Sequence, residues 1–147
     1  MPVTFGLAES WKPKPVTIAP DNPLADLARR GPLTMVCEID AKPAGDIGFL
    51  RVWTADGGEL RPALQALIGT NALEPVFTES RLNDRPALEV AYQQKSQVDD
   101  AINPKRAFAV ETADGIAAVS LDSFDTAEHQ AMLPAYELAK TTLTVTR

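Results

Sequence analysis

The change of hydrophobic period across the last third of the chain constrains the fold more than any other feature. Lys105–Thr112 and Ile116–Phe124 read as two strands around Ala113-Asp114-Gly115, with Phe108 and Val110 alternating against Ala109 and Glu111, and Val119 and Leu121 on the return. The spacing then becomes helical. Met132, Tyr136, Ala139 and Leu143 form one stripe after a start near Thr126, where Asp125 and Glu128 stand three apart as a helix-opening pair. A hairpin that runs directly into an amphipathic helix predicts an antiparallel sheet with a helix packed on it. Pro134 lies inside the helical pattern, so a kink or a late helix start is expected there.

The earlier part of the chain is divided by prolines, which remove a backbone donor and bias the preceding residue away from helix. Val3–Leu7 is a short strand candidate, followed by a Trp11-Lys12-Pro13-Lys14-Pro15 loop and an extended piece at Val16–Ala19. Asn22 and Pro23 predict a helix start, Leu24, Leu27 and Ala28 its apolar stripe, and Arg29, Arg30 and Gly31 its close. Leu33, Met35, Cys37 and Ile39 alternate with Thr34, Val36, Glu38 and Asp40, the pattern of a strand with one face on the core. A second strand runs over about Gly48–Thr54 to an Asp56-Gly57-Gly58 turn. Leu60, Leu64, Leu67 and Ile68 then give a helical face, ended by Gly69 as a left-handed cap. Glu74–Leu82 and Pro86–Lys95 form a hairpin around Asn83-Asp84. Polar, aperiodic Gln94–Pro104 predicts the longest loop.

A chain of 147 residues fits one domain spanning 1–147 and buries roughly 70% of its unfolded surface, enough for a continuous core without disulfide or metal. Fourteen Lys and Arg face 20 Asp and Glu, a net charge of −6, which repels nucleic acid and anionic membranes over most of the surface. Cys37 is the sole cysteine, so an internal disulfide is impossible, and its place in an alternating run makes it a small buried apolar residue. No apolar run approaches the roughly 20 residues that span a bilayer, and Met1–Phe5 lacks the basic and apolar regions of a signal peptide. The location expected from the sequence as written is cytoplasmic, with an exported or lipid-anchored protein as the alternative if a signal segment preceded Met1.

The side chains that carry chemistry are sparse. His129 is the only histidine, at the border of the last helix's apolar face and in its first turn, where an added positive charge is disfavoured. It reads as structural, without catalytic chemistry. Ser120, Asp122, Ser123 and Asp125 lie nearby in sequence, but no Gly-x-Ser-x-Gly elbow accompanies them. One cysteine and one histidine leave only a carboxylate site for a metal, and Asp99-Asp100 lacks calcium-loop spacing. No catalytic residue, metal ligand or cofactor site is assigned. Trp11 in its proline-rich loop and Trp53 at a strand end are the partner-binding candidates, because exposed indoles mark binding surfaces.

In the Phe5–Trp11 opening, the Arg81–Tyr92 hairpin, and Arg106–Val110 leading through Ile116–Phe124 into the last helix, the chain resembles the PsbP-like superfamily, which includes DcrB-type bacterial proteins, LpqN-like lipoproteins and a nuclear Ran-binding relative. The resemblance covers most of the chain and implies an α+β fold, an α/β/α sandwich with a central antiparallel β-sheet flanked by helices. It also implies a largely non-enzymatic role as adaptor, assembly factor, partner chaperone or lipoprotein, with no shared catalytic residues. The sequence lacks a lipid-attachment cysteine near its start.

The leading functional expectation is therefore a non-enzymatic binding, adaptor or chaperone-type domain for a protein or small apolar partner, without nucleic acid or cofactor. The alternatives are an extracytoplasmic lipoprotein domain and a carboxylate-based enzyme. Such an enzyme would use Asp, Glu, Arg and Tyr only, for example Glu38, Asp40, Arg81 and Tyr92 converging on one pocket.

Overall fold

The computed structural model describes residues 3–4, 12–15, 29–40, 48–82, 84–95, 101–123 and 126–145. Its elements are β1 (Val3–Thr4), β2 (Lys12–Pro15), β3 (Arg29–Arg30), β4 (Leu33–Asp40), β5 (Gly48–Ala55), α1 (Leu60–Ile68), β6 (Ala72–Leu82), β7 (Arg85–Lys95), β8 (Ile102–Glu111), β9 (Ile116–Ser123), α2 (Thr126–Thr142) and β10 (Thr144–Val145). One eight-stranded sheet runs in the order β2-β4-β5-β9-β8-β7-β6, with β3 beside β4, and every recorded pairing in it is antiparallel. A separate two-stranded ladder joins β1 to β10 near the two ends of the chain.

Helix α1 covers one face of the sheet, against β8, β7 and β4, and α2 covers the other, against β9, β8 and β5. The fold is the expected α+β sandwich. Because both faces are covered, the core falls into two layers separated by the sheet. The α2 side holds Ile39, Leu50, Val52, Phe108, Val110, Val119, Leu121, Met132, Tyr136 and Ala139, with Phe108 and Tyr136 edge to face at 5.5 Å. The α1 side holds Leu33, Trp53, Leu64, Leu88, Val90, Tyr92, Ala107, Ala109 and Ile116. Pairing of Leu88 with Ala109 and of Val90 with Ala107 fixes this division, since residues directly opposite each other share a face. Leu88, Val90 and Tyr92 therefore do not share a core with Phe108 and Val110, as a single-layer reading of the periodicity would have it.

A bulge corrects the reading of β4. Met35 pairs with Trp53 and Cys37 with Val52, so one extra residue enters β4 between them. Leu33 and Met35 consequently belong to the α1 layer, and Cys37 and Ile39 to the α2 layer. One strand thus feeds both layers, although its alternation reads as a single apolar face.

Three further boundaries differ from the sequence reading. Lys12–Pro15 is a strand, not a loop, and it lies at the edge beside β4. Pro13 and Pro15 sit two apart in that strand, and at an edge a missing N–H need not interrupt the sheet. Arg29 and Arg30 pair with Thr34 and Leu33 instead of closing a helix, and Gly31, at φ +57°, makes the turn between them. The rest of that predicted helix, Val16–Ala19 and residues 5–11 lie outside the described residues. Finally, Gln94, Lys95 and Ile102–Pro104 are not loop: they extend the β7–β8 ladder, with Gln94 opposite Asn103 and Lys95 opposite Ile102.

The helices begin and end close to where the sequence places them. Gly69 caps α1 with its N–H on Gln65 O, at φ +76° but with an extended ψ rather than a left-handed α one. Helix α2 starts at Thr126 and passes through Pro134 to Thr142, so its start is not delayed. Gly115 is required by close approach: a β-carbon there would lie 1.9 Å from Ala55 O, where the β8–β9 turn meets the end of β5.

Candidate functional site

Helix α2 is too narrow to cover the whole of its sheet face. It packs on β9, β8 and β5, and leaves β6 and the outer side of β7 open. Cross-strand register gives the rows of this face: Val76, Ala91, Arg106 and buried Leu121 lie opposite one another across β6, β7, β8 and β9, and Gln93 lies opposite Pro104. Where these rows pass the first turns of α2 there is a cleft of about 410 Å³, with Val76, Ala91, Gln93, Pro104 and Arg106 on the sheet side and His129, Gln130 and Leu133 on the helix side. Glu74, Tyr92 and Lys105 complete its lining.

His129 is the unusual member. It is 3% exposed, and its Nδ1 has no hydrogen-bond partner among the described residues. Burial, together with the positive charges of Arg106 and Lys105, lowers its pKa to about 4. The imidazole is therefore neutral at pH 7. It combines a desolvated ring nitrogen with a positive surrounding field at the edge of the cleft.

Arg106 is held loosely. Its guanidinium is 3.7 Å from Glu137 on α2, and both side chains are well exposed. Farther along the helix, Tyr136 donates to Glu89 Oε2 at 2.7 Å, and Lys140 lies 3.1 Å from Glu89 and 3.2 Å from Glu137. Burial and the Glu89 carboxylate keep the Tyr136 phenol protonated. This ladder ties α2 to β7.

The opposite face carries a second polar cluster. Trp53 Nε1 donates to Ser120 Oγ at 3.0 Å, Ser120 Oγ donates to Asp122 Oδ2 at 3.2 Å, and Arg51 bridges Asp122 at 3.1 Å and Glu38 at 2.9 Å. Arg51 also stacks 4.8 Å from the centre of the Phe49 ring. Burial lowers the pKa of Lys105, with Asp122 opposing that shift and Arg51 adding to it. Every group of this relay is occupied by its neighbours, so it fixes the β4–β5–β9 side chains.

The four residues taken as the example of a carboxylate enzyme site are not brought together. Glu38 is bound to Arg51, Arg81 donates to Asp84 O in the β6–β7 turn, and Tyr92 is buried in the α1 layer. The side chain of Asp40 lies outside the described residues. No group of three or more potential metal ligands occurs among the described residues.

Trp53 is 3% exposed and belongs to the core beside α1, which corrects the expectation of an exposed indole. Its strand-end position lies under α1, and a buried ring offers a partner no surface. Trp11 lies outside the described residues. Among the described residues the exposed large apolar ones are instead Leu73, Val76 and Ile102, at 41%, 62% and 57%. Register puts all three on the α2 side of the sheet, at the end where the cleft opens. Sequence reasoning missed this site because Val76 looks like an ordinary strand residue until β6 is known to be an edge, and Leu73 lay just outside the strand read from Glu74. Ile102 lay in a stretch read as loop. The available signal was His129, a lone histidine at the border of an apolar stripe.

The geometry defines a class: an α+β sandwich of one antiparallel sheet between two helices, with a lateral cleft on the incompletely covered face. The chain belongs to a family described as an uncharacterised lipoprotein family, whose model matches residues 1–143. Membership corrects the cytoplasmic expectation, because a lipoprotein family points to an exported or lipid-anchored protein. Among solved structures the chain is similar to LpqN, described as involved in cell envelope biogenesis of Mycobacterium tuberculosis, at 13% identity and a TM-score of 0.58 over 99% of this chain and 83% of that one. At that identity the likeness concerns the fold. No curated protein matches the sequence. Among the described residues no helix is long and apolar enough to cross a membrane.

Proposed function

We propose that this chain is a non-enzymatic binding domain of the cell envelope, exported or lipid-anchored, that holds a protein or small apolar partner in the α2-side cleft. The observation that carries the reading is the coincidence of three exposed apolar side chains, Leu73, Val76 and Ile102, with a cleft into which a buried, unsatisfied His129 is built. Exposed apolar groups gathered on one face beside a concave site are a feature of binding surfaces. The lipoprotein family and the fold shared with an envelope protein support the location. The PsbP-like grouping belongs to the same proposal and agrees with a role that needs no catalytic set.

Site-specific photocrosslinking tests it. A benzophenone side chain at Val76 is expected to capture a discrete envelope component in cells, whereas the same group at exposed Glu111, at the far end of β8, captures none. Equal labelling from both positions would remove the cleft from consideration.

A further inference from the structure

The cleft has a chemical bias that its apolar rim does not reveal. The whole chain carries a charge of −6, yet the groups that set the potential at His129 are cations. Arg106 lines the cleft from β8. Lys105, one residue back, alternates to the other sheet face in register but also contributes to the lining. Tyr92 on β7 is neutral, and Glu74 on β6 is the single acidic residue of the lining. On α2 itself Glu128 neighbours His129, and Glu137 offsets Arg106 only at 3.7 Å and in contact with solvent. His129 also sits in the first turn of a 17-residue helix, where the backbone dipole favours negative charge. The residue is 3% exposed, and its Nδ1 lacks a partner among the described residues, which leaves a desolvation cost unrelieved beside the cleft.

We propose that the cleft binds an organic anion, a carboxylate carried on a short apolar body, with the carboxylate against His129 and Arg106 and the apolar body over Val76, Ala91 and Leu133. This inference rests on the cleft being the binding site. The cleft volume of about 410 Å³ suits a small ligand. Carboxylate and imidazole are linked through the proton: an anion beside the ring stabilises the imidazolium, so binding draws a proton onto His129 and tightens as pH falls, down to the pH at which the ligand's own carboxylate is protonated.

Because the chain has a single histidine, its imidazole resonance can be followed by NMR without assignment ambiguity. The probes are hexanoate and its uncharged analogue hexanamide, titrated into the intact protein at several pH values. Hexanoate is expected to shift the imidazole signal and to raise the His129 pKa from about 4, each unit of rise corresponding to about tenfold tighter binding to the protonated form. Arg106→Gln should weaken hexanoate, and Glu137→Gln, which frees the guanidinium, should strengthen it. If hexanamide binds as well as hexanoate, or if hexanoate binds without moving the His129 pKa, the anion assignment falls while the cleft remains a binding site. If neither probe perturbs the imidazole and crosslinking from Val76 still succeeds, this inference alone fails. Failure of both experiments removes the cleft as well.

Discussion

Val110 has no exposed surface and lies in β8 between Phe108 and the turn, with Ala87 and Ala117 opposite it on the two neighbouring strands. Val110→Asp places an unpaired carboxylate in that layer and is expected to cost several kcal/mol, read as a lower urea midpoint in equilibrium unfolding. Trp53 makes a different demand: its ring fills the α1 layer, and its indole N–H satisfies Ser120. Trp53→Ala should therefore cost about 3–5 kcal/mol in the same measurement, and a loss of partner binding without loss of stability would contradict its place in the core. His129 titrates with the opposite sign to a histidine that gains an acidic partner. Its folded-state pKa of about 4 lies below the ordinary value of 6.5, so the unfolded chain binds the proton first. The associated stability is fully present above pH 6.5 and is lost as pH falls from there through 4, by an amount on the order of 3 kcal/mol. Comparing His129→Gln with wild type across that interval checks it, and the wild-type decline is expected to be the steeper.

At the scale of elements, Pro134 is the clearest misfit. It stands exposed in the interior of α2, where proline removes a hydrogen bond and crowds the preceding turn. Pro134→Ala is expected to stabilise the protein by about 1–3 kcal/mol, visible as a higher melting temperature, since Ala restores the donor without disturbing a buried contact. The α2 boundaries were nevertheless legible, because the stripe of Met132, Tyr136 and Ala139 outweighs one proline. The β6–β7 and β8–β9 hairpins and α1 were legible for the same reason: local period and turn residues carry them. The bulge at Met35–Cys37 was not, because an inserted residue leaves the apolar and polar alternation intact and changes only which face it meets. Nor was the strand at Lys12–Pro15, whose prolines read as loop until an edge is available to receive them. The cleft depends on both kinds of information. It requires knowing that β6 ends the sheet and that α2 stops short of it, and neither fact is local in sequence.

At the scale of the molecule, the two core layers are joined through one strand. Ala107 and Ala109 of β8 are buried toward α1, Phe108 and Val110 toward α2, and all four are at most 1% exposed. Small residues on one face and large ones on the other let both helices pack against the same backbone at close range. A disturbance in either layer must therefore shift β8 and be felt in the other. Leu64 is fully buried on the α1 side, so Leu64→Ala is expected to cost about 2–5 kcal/mol. The decisive observation is how the two layers melt. In a Trp11→Phe background, tryptophan fluorescence reports Trp53 on the α1 side, while the near-ultraviolet tyrosine signal includes Tyr136 on the α2 side. For both wild type and Leu64→Ala, the two signals should change at a single denaturant concentration, lower in the variant. Separate midpoints would show that the α2 layer holds the cleft without support from α1, and that the sheet does not transmit packing between its faces.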